Sequence, residues 1–161
     1  MPQPRAHSVA AAFSLISYYR VKATQDNIGY ELAKASQRWN ELLSDRFRAR
    51  GWADVRPSFG SVLLPLFEED GLRMGELARR SRLSKQTMTT LVRLVEGAGL
   101  VRRERDPNDG RAFRISLTER GRALEPVAAE VVAELGGLVR SRVSATDLEA
   151  ARRVLKGVMS L

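Results

Sequence analysis

The chain has 161 residues and a formal net charge of +8, with 27 Lys and Arg against 19 Asp and Glu. This length and the hydrophobic content of 43% are enough for one sizeable core and favour a single compact domain. The absence of cysteine excludes disulfides, thiolate metal sites and redox-sensing thiols, and because no apolar run approaches the ~20 residues of a membrane helix, we expect a cytoplasmic protein without a membrane partner.

The N-terminal part predicts an arm followed by a helix. Residues 1–26 contain two early prolines and a short apolar patch, and we assign them no role. Asn27 is a good helix cap, and the helix that follows should end near Gly51. Its apolar residues recur with the 3.6-residue period of one helix face. They are Ile28, Leu32, Ala35, Trp39, Leu42, Leu43 and Phe47.

Three further helices are predicted between residues 58 and 96. Ser58–Asp70 forms a largely buried helix that Pro65 should kink or shorten. Two short helices follow, Met74–Arg80 and Ser84–Glu96. Only three residues separate them, which is the length of the turn in a helix-turn-helix.

The next segment predicts a β-hairpin. Val101–Arg105 and Ala112–Leu117 form the strands, around a turn at residues 106–110 that contains Pro, Asn, Asp and Gly. Alternation predicts that Phe113, Ile115 and Leu117 face inward and that Arg114 and Ser116 face outward. We expect Arg111 at the tip of the hairpin.

Two helices complete the chain. Thr118 caps a long helix with the apolar stripe Leu124, Ala128, Val131, Leu135 and Leu138. Ser144, with Asp147 three residues later, begins a last helix whose stripe is Leu148, Ala151, Leu155 and Val158. Such stripes would leave large apolar faces exposed on a small domain, so we expect a homodimer.

The positive charge is concentrated in residues 73–122, where thirteen basic and six acidic side chains give a net +7. In the helix after Ser84 the polar face contains almost no acid. Its glutamine, lysine and threonine side chains suit base edges and phosphates, and the capped amino end suits a phosphate. The alternative is an ordinary solvated helix. The predicted DNA contacts here are Ser84, Lys85, Gln86, Thr87, Thr89, Thr90 and Arg93.

The hairpin adds a second basic feature. Five arginines occur within thirteen residues, namely Arg102, Arg103, Arg105, Arg111 and Arg114. A guanidinium at a tight turn can enter a narrow minor groove, and we assign DNA contacts to Arg105 and Arg111. Asp106 and Asp109 are expected to hold guanidinium groups of the hairpin in position. The alternative is a surface hairpin with ordinary ion pairs.

These motifs resemble the MarR family of winged helix-turn-helix regulators, over a region from about Asn27 to the C-terminus. The matching residues are Leu77-Ala78-Arg79-Arg80-x-x-Leu83-Ser84-Lys85-x-Thr87, then Leu91-Val92-x-x-Val95-Glu96-x-x-Gly99-Leu100-Val101-Arg102-Arg103, then Asp106-Pro107-x-Asp109-x-Arg111 and Leu117-Thr118-x-x-Gly121. The N-terminal arm, Pro65 and Pro126 depart from the family pattern.

The resemblance implies a mainly α (α+β) winged helix-turn-helix fold whose N- and C-terminal helices form a dimerisation region. It divides the chain into an arm (1–26), a first helix for dimerisation and a pocket (27–56), a DNA-binding region (57–117) and C-terminal dimerisation helices (118–161). It implies a sequence-specific regulator of double-stranded DNA, with a recognition helix in the major groove and an arginine in the minor groove. Repression would be relieved by a small, often aromatic, ligand.

The sequence argues against other functions. His7 is the only histidine, and no nucleophile elbow, phosphate-binding loop or metal-ligand spacing is present, so we expect no enzyme, no cofactor and no metal. Glu68-Glu69-Asp70 is better explained as a solvated helix end than as a metal site. An unregulated architectural DNA-binding protein remains an alternative.

The aromatic residues that could line a ligand pocket, or be plain core, are Tyr30, Trp39, Phe47, Trp52 and Phe59.

Overall fold

The computed structural model describes residues 27–161, so the predicted N-terminal arm, residues 1–26, lies outside the described residues. The chain divides into two units, residues 1–40 and 41–161. Within the described residues, the elements in chain order are α1 (Ile28–Ala49), a 3₁₀ turn (Pro57–Phe59), α2 (Gly60–Glu68), β1 (Leu72–Arg73), α3 (Met74–Arg80), α4 (Lys85–Gly97), β2 (Val101–Asp106), β3 (Asp109–Leu117), α5 (Glu119–Arg140) and α6 (Ala145–Met159).

Helix α1 begins and ends close to the predicted positions. In the first unit, Asn27 caps the helix, because its side-chain Oδ1 accepts a hydrogen bond of 3.1 Å from the backbone N–H of Tyr30. In the second unit, Phe47 near the other end of α1 is buried. Arg46 and Arg50 both bind the carboxylate of Glu134 on α5, at 2.5 and 2.9 Å. These two ion pairs hold the end of α1 against α5.

Pro65 lies inside α2 and does not stop the helix. Proline has no N–H, so the carbonyl of Ser61, four residues earlier, loses its helical partner. The hydroxyl of Ser81 donates a hydrogen bond of 2.5 Å to this carbonyl. The helix spans Gly60–Glu68 with a 3₁₀ turn before it, two residues shorter at each end than predicted, and the C-cap residue of α3, Ser81, satisfies the carbonyl that Pro65 frees.

Helices α3 and α4 form the predicted helix-turn-helix, with boundaries within a residue of those expected. In the turn Arg82 has a positive φ of 52°, which is uncommon for a residue with a side chain. Its guanidinium donates a hydrogen bond of 3.0 Å to the carbonyl of Met159, at the end of α6. The turn between the two helices therefore contacts the last helix of the chain.

The sheet has the order β1-β3-β2 and is antiparallel throughout. The two-residue strand β1 was not predicted from the sequence. The hairpin strands are longer than predicted, because Asp106 pairs with Asp109 and only Pro107 and Asn108 form the turn. The expectation that Arg111 lies at the tip is wrong, since it is the third residue of β3.

The predicted alternation along β3 is correct at Ile115 and Leu117, which are buried, and wrong at two positions. Phe113 is 48% exposed, because this part of β3 extends beyond the two-residue β1. Its ring packs under the guanidinium of Arg105, 5.7 Å from the ring centroid. Ser116 is 7% exposed. Its hydroxyl donates to the carboxylate of Glu104 and lies next to Gly71, so this face of β3 is covered at its base.

Helices α5 and α6 lie where the caps predict. The hydroxyls of Thr118 and Ser144 accept hydrogen bonds from backbone N–H groups three residues later, and α5 continues through Pro126. The apolar stripe of α5 is not wholly available to a partner, since Leu124, Val131 and Leu135 are buried within the chain itself. Helix α6, in contrast, has no buried residue. The exposed apolar side chains in this region are Val132, Leu138, Val139, Val143, Val154, Leu155, Val158, Met159 and Leu161.

Together these elements confirm the mainly α fold class with a small antiparallel sheet. No helix within residues 27–161 combines the length and the apolar character that spanning a bilayer requires.

The start of α5 crosses the base of the hairpin so closely that only glycine fits. A Cβ on Gly121 would lie 2.1 Å from the carbonyl oxygen of Leu100. We expect Gly121→Ala to lower the free energy of unfolding by about 3 kcal/mol, because backbone must move. Gly97→Ala is the control, since its Cβ would meet nothing within 4 Å. Chemical denaturation measures both, and equal stability of the two variants would contradict this close approach.

Candidate nucleic-acid interface

The orientation of α4 is set by three side chains that are completely buried, Met88, Val92 and Val95. Their spacing of four and three residues places them on one face of the helix. The opposite face is turned to solvent. Its exposed residues are Lys85, Gln86, Thr87, Thr90, Arg93 and Leu94, with Thr89 half-buried at its border.

Acidic charge is absent from the exposed face of α4. Glu96 is half-buried, and the guanidinium of Arg103 on β2 binds its carboxylate at 3.2 Å. At the amino end, the hydroxyl of Ser84 accepts a hydrogen bond of 3.1 Å from the backbone N–H of Thr87. The remaining N–H groups of the first turn give this end a partial positive charge that favours an anion.

The threonine hydroxyls of α4 are already engaged within the protein. Thr89 donates to the carbonyl of Lys85 at 2.8 Å, and Thr90 donates to the carbonyl of Gln86 at 3.2 Å. The hydroxyl of Thr87 lies 2.9 Å from that of Ser84. The hydroxyl hydrogens of Thr89 and Thr90 therefore already have acceptors within the helix, and these two residues cannot donate them to a base at the same time.

Some basic side chains of this region are paired and others are not. Arg79 and Arg80 bind Glu76, Arg102 binds Glu104, and Arg122 binds Asp70. By contrast, within the described part of the chain, some of the long polar side chains of α4 and the hairpin have no hydrogen-bond or ion-pair partner. These are Lys85, Gln86, Arg93 and Arg111.

Asp106 joins the hairpin to β1 through a buried carboxylate. Its side chain is fully buried, and its Oδ2 accepts hydrogen bonds from Arg73 at 2.7 Å and Arg114 at 3.0 Å. Its Oδ1 accepts from the backbone N–H of Asn108 at 2.9 Å. The Arg73 guanidinium, with the Asn108 N–H and Arg114, lowers the pKa of Asp106 to about 2.

The other predicted hairpin residues have separate contacts. Arg105 donates to the carbonyl of Gly110 at 2.8 Å and lies over Phe113. Asp109 accepts from the backbone N–H of Arg111 at 3.1 Å, so it fixes the backbone rather than the guanidinium. The guanidinium groups that Asp106 holds in position are those of Arg73 on β1 and Arg114 on β3.

The aromatic residues predicted to line a pocket belong to both units. Phe47 and Phe59 are core residues, 7% and 2% exposed. Trp52 is covered by Arg120, whose guanidinium lies 4.9 Å from the ring centroid and also binds Asp54 at 2.9 Å. In the first unit, Tyr30 is 45% exposed and Trp39 is half-buried.

A cavity of about 500 Å³ is present on the second unit, but none of the predicted aromatic residues lines it. It is lined by Gly60, Ser61, Leu64, Pro65, Glu68, Arg80 and Ser81. The acidic run at the end of α2 is used in contacts. Asp70 binds Arg122 and the backbone N–H of Leu117, and Glu69 binds Arg80. Residues 27–161 contain no group of three or more potential metal ligands.

Two residues of this surface were missed from the sequence. Arg73 lies on a strand of two residues, which is too short to produce a periodic pattern. Leu94 is 43% exposed on the outer face of α4. Its position four residues after Thr90 was the available signal, because it places Leu94 on the same side of the helix as that exposed threonine.

A helix-turn-helix with an acid-free outer face, followed by an antiparallel hairpin with unpaired arginine, defines a winged helix-turn-helix DNA-binding protein. Comparison with known proteins gives the family. The model of the MarR family matches residues 57–113. The HTH-type transcriptional repressor Rv2887 of Mycobacterium tuberculosis is 36% identical over 117 residues, which cover 65% of this chain and 84% of that protein.

Solved structures agree with this assignment. A probable transcriptional regulator from Pseudomonas aeruginosa has a TM-score of 0.71 and 26% identity, over 83% of this chain and 97% of that one. The transcriptional repressor CouR, bound to a 23-mer DNA duplex, has a TM-score of 0.67 and 25% identity, over 84% and 93%. The chain belongs to the MarR family and is a transcriptional regulator, as the sequence motifs indicated.

The buried carboxylate of Asp106 makes stability depend on pH. Its pKa of about 2 in the folded protein lies below the ordinary value of 3.8. The stabilisation is therefore present above about pH 3.8 and is lost as the pH falls to about 2. We expect Asp106→Asn to be less stable than the parent at neutral pH.

The difference between the two proteins should shrink as the pH falls from about 4 to about 2. Glu76 has a pKa of about 2, lowered by Arg79 and Arg80, and titrates in the same range in both proteins. Comparing the two proteins therefore isolates the contribution of Asp106. Thermal unfolding at a series of pH values is the measurement, and a difference that stays constant with pH would contradict the assignment.

Proposed function

We propose that this regulator is a homodimeric repressor that binds a pseudo-palindromic double-stranded operator. In this proposal α4 lies in the major groove, and the hairpin β2–β3, here called the wing, places Arg111 in the minor groove. The observation that carries it is the set of unpaired side chains on two adjacent elements, Lys85, Gln86 and Arg93 on α4 and Arg111 on the wing. Residues 57–117 would supply the DNA contacts. A protein that binds a chromosomal operator shares its compartment, so a cytoplasmic location is part of the proposal.

Each unpaired group suits a different part of the duplex. The amide of Gln86 can pair bidentately with adenine, and Lys85 can reach guanine or a phosphate. Arg93 lies on the same face, two helical turns after Gln86. Arg111, on a hairpin that extends beyond β1, can enter a narrow minor groove, where the negative potential attracts a guanidinium. Ser84, Thr87, Thr89, Thr90 and Arg105 complete the proposed contact surface, with Asp106 and Asp109 as positioning residues.

The repressor role is supported by the relative Rv2887, which is named a repressor. We further propose that a small ligand relieves repression. The absence of cysteine in the chain removes thiol oxidation as a signal, and an effector that binds one conformation better than another can change the affinity for DNA. An unregulated architectural DNA-binding protein is the alternative. Titration of the protein–operator complex with aromatic acids separates the two, because only a regulator releases DNA.

A homodimer is supported by helix α6, which exposes Val154, Leu155, Val158 and Met159 and buries nothing in the chain alone. An amphipathic helix of this kind is stabilised when a partner covers its apolar face. The stripe of α5 offers less apolar surface to a partner than the sequence predicted, since three of its five residues are already buried. Two-fold symmetry would place two α4 helices about 10 base pairs apart on the operator.

We expect sedimentation equilibrium at micromolar concentration to give twice the 17.9 kDa of the chain. Leu155→Glu should shift the equilibrium towards the monomer, because it places a charge in an apolar interface. Leu64→Glu is the matched control, since Leu64 is an exposed leucine on α2, outside α6. A parent protein that sediments as a monomer would exclude the dimer.

The contacts proposed in the two grooves predict different responses to mutation of Arg111 and of Gln86. Arg111→Ala should weaken binding to cognate and scrambled duplexes by similar factors and reduce the slope of log K against log salt by about 0.9 for each phosphate charge lost. Gln86→Ala should cost about 1–3 kcal/mol on the cognate duplex, and much less on scrambled DNA, with the slope unchanged.

Binding measured over a salt series with both duplexes tests this assignment. Arg48→Ala is the matched control, because Arg48 is an exposed arginine on α1. Parent-like binding of Arg111→Ala to both duplexes would refute the wing contact. Equal losses of Gln86→Ala on cognate and scrambled DNA would refute base reading by α4.

A further inference from the structure

The outer face of α4 has an apolar row that the polar contacts do not use. Thr87, Thr90 and Leu94 follow one another at intervals of three and four residues, so they lie along one line of the helix. Thr90 and Leu94 are about 6 Å apart along the helix axis, at 1.5 Å per residue. All three side chains are exposed.

The hydrogen bonds within α4 decide what the threonines in this row can offer. The hydroxyl of Thr90 donates to the carbonyl of Gln86 at 3.2 Å, and that of Thr87 lies 2.9 Å from the hydroxyl of Ser84. When the hydroxyl oxygen of a threonine is turned towards the helix backbone, its methyl group occupies a different staggered position about the Cα–Cβ bond. The hydroxyl hydrogen of Thr90 is therefore already used, and the apolar group that each of these threonines can offer to a partner is its methyl group.

Leu94 extends the row with a larger apolar group. It is 43% exposed, whereas Met88, Val92 and Val95 of the same helix are fully buried. Burying its exposed area against a partner would remove apolar surface from water, which favours binding. Gln86 and Arg93 lie on the other side of the outer face, so the helix presents a polar row and an apolar row side by side.

The major groove has one apolar feature that matches such a row. Among the four bases only thymine presents a methyl group there, at C5. We propose that Thr87, Thr90 and Leu94 read thymine methyl groups in the operator, and that this row determines specificity together with Gln86. This inference rests on the proposed function, since it requires α4 to lie in the major groove.

The test uses an operator obtained by selecting the parent protein's preferred sequences from random duplexes. Each thymine of that duplex is then replaced by deoxyuridine, which lacks only the methyl group. We expect a loss of about four-fold in affinity at each thymine whose methyl is contacted, from the transfer free energy of one methylene. For Leu94→Ala, the loss of affinity caused by deoxyuridine should be smaller than for the parent at one or more of these positions. In Leu64→Ala, the control leucine outside the interface, the pattern should match that of the parent.

Two substitutions at Thr90 separate the methyl group from the hydroxyl. Thr90→Val keeps the methyl and the branched shape, and it should bind the selected duplex within about two-fold of the parent. Thr90→Ser keeps the hydroxyl and loses the methyl, and it should lose about four-fold in affinity on the thymine duplex. If Thr90→Val loses affinity while Thr90→Ser binds like the parent, the hydroxyl is read instead of the methyl group, and the inference is overturned.

The outcomes distinguish this inference from the proposed function. If the parent binds its selected duplex equally well with thymine or deoxyuridine at every position, methyl reading is wrong and the function stands. If selection returns no preferred sequence, sequence-specific binding and methyl reading both fail. Circular dichroism of each variant confirms that it is folded.

Discussion

The rotational position of α4 is the constraint on which the rest of the surface depends. Met88, Val92 and Val95 have no exposed area, and they fix which residues of the helix face solvent. A rotation by one residue would turn the helix by 100°. Such a rotation would bury polar groups without partners, at a cost of roughly 1–3 kcal/mol for each group. The core therefore specifies the outer face, although no core residue lies on it.

The wing is held against this helix by several short connections. The backbone N–H of Leu100 donates to the carbonyl of Val95 at 3.1 Å, and the hydroxyl of Thr118 donates to the carbonyl of Gly99 at 2.6 Å. Gly121 allows α5 to pass close to Leu100. At the other end of the hairpin, buried Asp106 connects the turn to Arg73 of β1. Because both ends are anchored, the wing and α4 are presented to a duplex as one surface.

The sequence predicted the helices well because their caps and periodicities are local. Ser84 and Thr118 each cap a helix at the expected position. Strand β1 could not be predicted, since two residues have no period and their pairing with Ile115 and Arg114 is long-range. The predicted exposure of Phe113 and Ser116 was wrong for a similar reason. Which faces of β3 are covered depends on residues far away in the sequence, and alternation along one strand does not show them.

Periodicity also does not identify what covers an apolar stripe. Leu124 and Leu135 on α5 have the spacing expected of a dimer contact, and both are buried by their own chain. In the candidate interface, the residue types of α4 were correct indicators of a polar face without acid. The direction of the threonine hydroxyls was not predictable, because it depends on bonds to carbonyls four residues earlier.

The central claim is that α4 and the wing occupy different grooves of the same duplex, and site-directed cleavage tests it most directly. The chain has no cysteine, so Gln86→Cys or Asn108→Cys each provides a single thiol for an iron chelate that cleaves nearby DNA. Because the helix is right-handed, cleavage from the minor groove is displaced towards the 3′ side on the two strands, and cleavage from the major groove towards the 5′ side. The account predicts a 5′ displacement for the chelate at position 86 and a 3′ displacement for the chelate at position 108. The same displacement from both positions, or cleavage from neither on a bound duplex, would contradict it.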